Sequence, residues 1–317
     1  MRAVFMGTPE IAATILKTVV ESGKHEILAV VTQPDKPKGR GQELAYPPVK
    51  ETALAYQIPV LQPEKVRTPE FLEQLAARKP EIILVAAYGK LLPKQILELP
   101  RYGCLNVHAS LLPKYRGAAP IQWAVINGEA YSGVTIMHMA EGLDTGDMIL
   151  SERVALAPEE TAGTLHDKLA KLGGPALLQA MEELEQGTAQ RIPQEESEAT
   201  YVKMIDKSFG QLNFRLSAIQ LERLIRGLNP WPTAFTRLSG KLLKIWRAEV
   251  ISREELTAKE LSHVPGAVLR IERNGIGVLT GDGMLLIREL QLEGKRRMTA
   301  EEFLRGYPLK PGQMLET

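Results

Sequence analysis

Asn106-Val107-His108 places an amide and an imidazole two residues apart, and the later run Gly142-Leu143-Asp144-Thr145-Gly146-Asp147 supplies carboxylates on a glycine-flanked turn. These residue types suit acyl transfer. An amide N–H can donate to the oxyanion that forms when a carbonyl carbon is attacked, and it has no basicity of its own, so Asn106 reads as a polariser. An imidazole titrates near neutrality and can move protons, and a carboxylate beside it can hold the ring and balance its positive charge. Asn106, His108 and Asp144 are therefore the candidate catalytic residues.

Elements must bring them together. In a strand alternate residues share a face, so Cys104, Asn106 and His108 project one way and Leu105 and Val107 the other. The Ser110-Leu111-Leu112-Pro113 that follows cannot continue a central strand, because proline has no ladder donor, and it reads as a loop at the strand's carboxyl end. Open α/β sheets place ligands at that edge. Residues 118–127 suit a helix stopping at Gly128, and 133–139 suit a second buried strand. A right-handed β-α-β crossover would make the two strands parallel and return the Asp144 loop beside His108 at that edge. Taken singly, an Asn-x-His pair is an ordinary core pair and Asp-Thr-Gly-Asp an ordinary turn. Their conjunction within one unit is what points to a site. His138 lies on the neighbouring strand and reads as structural.

Elsewhere, strands at 2–6, 27–32 and 81–87 alternate with a helix over 9–22, which predicts a doubly wound, mostly parallel, Rossmann-like sheet. Gly7 stands alone without dinucleotide-fingerprint spacing, so a nicotinamide enzyme is disfavoured. The 317 residues, 44% of them hydrophobic, can bury a sizeable core in two domains. The single cysteine, Cys104, excludes an internal disulfide and reads as a buried strand residue, although pairing it with His108 defines a hydrolase-like competitor. No apolar stretch reaches the roughly 20 residues of a membrane helix, and no signal-peptide core follows the amino terminus, so a soluble, cytoplasmic protein is expected. The candidates His108, His138, Asp144 and Asp147 lack a recognised ligand spacing, and no metal is expected.

Residues 33–56 form a Pro/Gly-rich loop with Lys36, Lys38 and Arg40. A solvated loop is the ordinary reading of such a stretch, yet it leaves the carboxyl end of strand two, and cations on such a loop can grip phosphates. After a helix over 162–186 comes a polar, irregular linker at 188–207, in which Tyr201, Val202 and Lys203 are expected to pack. The boundaries are then 1–187, 188–207 and 208–317. The last segment carries a helix at 217–227 and short strands at 234–238, 242–249, 266–272, 275–280 and 285–292, a pattern that leaves sandwich and barrel equal. Residues 208–317 hold 17 Lys+Arg against 12 Asp+Glu, and residues 1–207 hold 22 against 26. With Lys295-Arg296-Arg297 between strand and helix, the basic half is compatible with a phosphate-tracking face.

The Asn-x-His-x-Ser-Leu-Leu-Pro segment and the Gly-Leu-Asp-Thr-Gly-Asp loop closely resemble the 10-formyltetrahydrofolate-dependent formyltransferase family. The Met6-Gly7-Thr8-Pro9-Glu10 start, the Asn229-Pro230-Trp231-Pro232 run and the chain length look like its members that formylate a charged tRNA. The resemblance covers essentially the whole chain, most strongly 1–180. It implies transfer of the formyl group of 10-formyltetrahydrofolate to the α-amine of initiator methionyl-tRNA, and a C-terminal OB-like barrel that binds tRNA. It also implies folate contacts at Ser110, Leu111, Leu112 and Pro113, beside which the Tyr88-Gly89 turn sits at the correct edge. Arg40, with its flanking glycines, matches the loop that enters the acceptor arm, and Lys36, Lys38, Lys295, Arg296 and Arg297 are further tRNA candidates. Asn213-Phe214 departs from the family's usual Asp-Trp pair, and Met204-Ile205-Asp206-Lys207 from its usual Thr-Lys or Ser-Lys pattern. A formyltransferase acting on a sugar-nucleotide amine, a folate hydrolase and a non-enzymatic RNA-binding protein are the alternatives.

Overall fold

The computed structural model describes residues 1–38 and 43–316. By internal contacts the chain divides into two compact units, one of residues 1–120, 131–155 and 166–202, the other of 121–130, 156–165 and 203–317.

The first unit contains strands β1 (Arg2–Gly7), β2 (Glu26–Val31), β3 (Lys36–Lys38), β4 (Glu43–Ala45), β5 (Val60–Leu61), β6 (Ile82–Ala86), β7 (Cys104–His108), β8 (Arg116–Gly117), β9 (Tyr131–His138), β10 (Met148–Ala155) and β11 (Tyr201–Val202). Seven of them form one sheet in the order β10-β9-β7-β6-β1-β2-β5. Ala3 to Met6 and Ile82 to Ala86 are buried without alternation, as in a sheet covered on both faces. Helix α1 (Glu10–Glu21) lays Ile11, Ala12, Ile15, Leu16 and Val19 inward, the stripe expected of one helical face. Helices α2 (Pro48–Ala55), α3 (Pro69–Ala76) and α4 (Lys94–Leu97) complete the connections.

The strands from β5 to β7 in this order are parallel, but β9 runs antiparallel to β7, with Leu105 opposite His138 and His108 opposite Thr135. The parallel crossover expected from the sequence is therefore wrong. The intervening helix, α5 (Pro120–Ile126), explains why. Seven residues of helix span only about 10 Å, too little to carry the chain back along β7 to its starting edge, so the chain turns round and descends beside it.

Helix α6 (Ala162–Gln186) follows β10 in the chain. The second unit continues with α7 (Ala218–Gly227), β12 (Ala234–Leu238), β13 (Lys241–Ile251), α8 (Ala258–Leu261), β14 (Val268–Glu272), β15 (Gly275–Leu279), β16 (Met284–Leu292), β17 (Met298–Thr299) and α9 (Ala300–Gly306). Its antiparallel sheet has the order β12-β13-β16-β15-β14, with β17 on β16. The two edges, β12 and β14, are joined by the chain's last residues. Glu316 N donates to Arg237 O and Thr236 Oγ1 to Glu316 O, while Val268 N donates to Gln313 O and Leu315 N to Gly266 O. This closes the sheet and decides for a barrel. Phe214, at the position that departs from the family's usual tryptophan, is fully buried, and Asn213 Oδ1 accepts from Arg215 N at 3.1 Å. Leu315 is 2% exposed and fastens the closing segment. Leu315→Ala is expected to cost about 2–5 kcal/mol in denaturant unfolding. An unchanged midpoint would show that the tail does not seal the barrel.

Candidate active site

Strand alternation places Cys104, Asn106 and His108 on one face of β7. Cys104 is fully buried against α4, where Sγ donates to Ile96 O at 3.5 Å. Burial pushes its thiol up to about 12. Thiolate is thus scarce at neutrality, and four extended residues place Cys104 about 13 Å along the strand from His108, which removes the cysteine–histidine competitor. Cys104→Ala is expected to keep the catalysed rate within about twofold of wild type; a loss beyond about tenfold in a folded variant would restore a chemical role for the thiol.

His108 is 6% exposed, with each ring nitrogen facing an oxygen. Nε2 lies 2.9 Å from Tyr115 O and Nδ1 lies 3.7 Å from Asp144 Oδ2. A carbonyl only accepts, so Nε2 carries hydrogen and donates to Tyr115 O. The Nδ1 position turned towards Asp144 is then where a further proton would be held. Asn106 is 9% exposed, and its amide makes no hydrogen bond with any other described residue. Its donors remain available to a ligand. His138, packed beside Gly103, has its pKa lowered by burial and belongs to the scaffold.

Asp144 arrives by a different path from the one expected. The β9–β10 hairpin springs from the level of Cys104, where Met139 N donates to Cys104 O and His138 N to Asp147 O. It leaves the amino-terminal end of β7 and folds back to bring Asp144 to His108. Asp144 itself sits in the left-handed region, at φ +53°. Its Oδ2 accepts from Gly117 N at 2.9 Å. Gly117, at φ +113°, pairs with Val202 so closely that a Cβ would collide with Val202 O. At Gly146 a Cβ would collide with His138 O, so the turn around Asp144 also needs that glycine.

The residues expected to meet folate mostly build the loop. Ser110 is 1% exposed and donates from Oγ to Lys114 O at 2.7 Å. Thr135 Oγ1 donates to Ser110 O and accepts from Leu112 N, while Leu111 lies over Gly133 of β9. Leu112 is buried and joined to Pro113 by a cis peptide. Tyr88 turns its ring into the core with Val4, Met6 and Val31, and burial pushes its unpartnered hydroxyl up to about 12. What it offers at the edge is backbone, since its carbonyl accepts from Gln33 Nε2 at 3.1 Å and Gly89 turns at φ +78°.

Lys36 is exposed on the β3–β4 hairpin, and Lys38 pairs with Glu43 through its backbone. Arg40 lies outside the described residues. The hairpin's base is tied by Lys50 Nζ to Asp35 at 2.6 Å and to Gln62 at 3.0 Å. In the second unit Lys295 is exposed, Arg296 pairs with Glu302 at 2.8 Å, and Arg297 pairs with Glu289 at 2.6 Å and stacks over Trp246. Among the described residues no cluster of three or more His, Cys, Asp or Glu could hold a metal ion. No helix among them is long and apolar enough to cross a membrane.

Sequence reasoning missed Tyr115 O, Gly117 N and Thr135 beside these residues. Only the Lys114-Tyr115-Arg116-Gly117 run gave a signal, by following the Asn-x-His segment.

An amide with free donors on the same strand as a histidine that faces a carboxylate is an arrangement that suits acyl transfer. The formyl transferase model matches residues 1–181 and the formyl transferase C-terminal domain model matches 204–308. The chain belongs to the formyl transferase family. It is 53% identical over 316 residues to a methionyl-tRNA formyltransferase of Lachnospira eligens, covering 99% of each chain, and 48% identical over 315 residues to that of Acetivibrio thermocellus, again covering 99% of each. Among solved structures, HypX from Aquifex aeolicus in complex with tetrahydrofolic acid superposes with a TM-score of 0.63 at 18% identity, over 100% of this chain and 51% of that one. The chain thus spans about half of HypX. The sugar 3N-formyl transferase WlaRD, with 5-N-formyl-THF, gives a TM-score of 0.63 at 17% identity over 93% and 99% of the chains. These two likenesses concern the fold.

Proposed function

We propose that this chain transfers the formyl group of 10-formyltetrahydrofolate to the α-amino group of methionyl-tRNA, giving N-formylmethionyl-tRNA for translation initiation. The observation that carries this is full-length identity of about half to methionyl-tRNA formyltransferases, in a chain that also holds the Asn106, His108 and Asp144 cluster. The free amine attacks the formyl carbon, a C–N bond forms, the bond to N10 breaks, and one amine proton ends on N10. Asn106 donates to the carbonyl oxygen as it becomes an oxyanion. His108 takes the proton at Nδ1, Asp144 balances the charge, and the proton is returned to the leaving nitrogen.

The folate is held at the carboxyl edge by the loop Ser110 to Pro113, through backbone groups and Leu111, with the Tyr88-Gly89 turn opposite; an apolar slot edged by backbone donors and acceptors suits a flat pterin. The tRNA is bound by Lys36, Lys38 and Arg40 on the first unit and by Lys295, Arg296 and Arg297 on the barrel, where phosphate contacts position the acceptor end. Residues 1–187 form the catalytic domain, 188–207 the linker and 208–317 the OB-like tRNA-binding domain. The protein works in the cytoplasm, where charged tRNA and reduced folate are found together. The test compares methionyl-tRNA with free methionine at equal concentration. Transfer to the charged tRNA at least about 10³-fold faster supports the reading, since remote binding energy would then be spent on the reaction. Equal rates would overturn the tRNA assignment.

A further inference from the structure

The stretch 194–202, in the segment expected to serve as a linker, runs beside the proposed catalytic residues. Tyr201–Val202 pairs in parallel with Arg116–Gly117, and Thr200 Oγ1 accepts from Tyr115 N at 2.8 Å. Tyr115 is the residue whose carbonyl holds His108. Gln194 Nε2 donates to Asp144 O and to Gly146 O, each at 2.8 Å, bracketing the turn that presents Asp144. Gln194 Oε1 accepts from Arg116 Nε at 3.0 Å. Arg116 is 1% exposed, and its Nη1 also donates to Glu196 at 2.8 Å and to the Tyr201 hydroxyl at 2.6 Å.

An amide side chain has two donors on one side and an acceptor on the other, and only a fixed neighbour decides which way it faces. Arg116 has no acceptor, so it can meet only the carbonyl end of Gln194. Both amide hydrogens are thereby aimed at the two main-chain carbonyls of the Asp144 turn. Asp144 needs such support because its backbone lies in the left-handed region, at φ +53°, which a non-glycine residue keeps only when its surroundings hold it there.

The geometry points to Gln194, oriented by Arg116, as the positioning residue that fixes the Asp144 carboxylate against His108. It rests on the proposed function and adds a residue outside the proposed catalytic trio. Neither side chain touches the reacting atoms. Their contribution is to keep Asp144 in place, where a displacement of about 1 Å can cost about 100-fold.

Two variants separate this from a merely structural contact. Gln194→Glu keeps the acceptor for Arg116 but replaces the two donors with an oxygen facing two carbonyls. Gln194→Ala removes both ends. Both are expected to lower kcat about 10–100-fold with KM for folate and tRNA within about twofold, as for an interaction realised in the transition state. In an Asp144→Asn background the further loss should vanish, since the two changes act through one group. A Gln194→Glu enzyme with wild-type kcat, or a loss that simply adds to that of Asp144→Asn, would overturn the inference. Wild-type kcat in Asp144→Asn itself would instead count against the proposed mechanism.

Discussion

Asn106→Ala is expected to lower kcat for formyl transfer by about 10²–10³-fold, the usual cost of removing one oxyanion donor. KM for the folate should move little, because the donor acts on charge that develops only in the transition state. The expectation follows from the site's geometry. The Asn106 amide is buried among neighbours yet has no described hydrogen-bond partner, so its truncation leaves no protein group stranded. The strand around it is held by pairing with β6 and β9. Steady-state kinetics with methionyl-tRNA and 10-formyltetrahydrofolate read the result. An Ala variant within tenfold of wild-type kcat would remove Asn106 from the chemistry.

Asp144→Asn is expected to be as damaging, at about 10²–10⁴-fold in kcat, the range for a lost acid–base partner. The substitution is nearly isosteric and keeps an oxygen to accept from Gly117 N, so the turn should survive. What disappears is the negative charge facing His108 Nδ1 at 3.7 Å. His108 would still donate to Tyr115 O, but the cation formed on accepting the amine proton would face a neutral amide. Wild-type kcat in Asp144→Asn would show that His108 works alone or that protons pass directly to solvent.

The part of this site that local pattern dictates was legible in the sequence. Two-residue alternation put Asn106 and His108 on one face, and the proline of Ser-Leu-Leu-Pro ended the strand where a loop begins. The continuous apolar run of β6 announced a sheet covered on both sides. What failed depended on lengths and long-range contacts. The direction of β9 turned on the shortness of the helix, whose stop at Gly128 was readable but whose length the β-α-β rule does not weigh. The chemistry-bearing turn at Asp144 consequently reached His108 along a path the β-α-β rule did not foresee.

Tyr88 shows a different limit. Its place at the sheet edge was readable, but whether its ring or its backbone would face outwards depended on the core around Val4 and Met6. The 312–316 segment that closes the barrel and Gln194 beside the Asp144 turn share one reason for being missed. Both lie in irregular polar stretches whose partners are distant in sequence, so no periodicity marks them.

What separates this transferase from a folate hydrolase is that the formyl group passes to the amine of methionyl-tRNA and not to water. The most direct measurement follows a label carried on the formyl carbon of 10-formyltetrahydrofolate in one reaction, reading its arrival in methionyl-tRNA and in free formate together. The label is expected to accumulate on the tRNA, with tetrahydrofolate formed in equal amount and formate at the level seen without enzyme. Label appearing in formate, with the tRNA unmodified, would contradict it and make the protein a folate hydrolase.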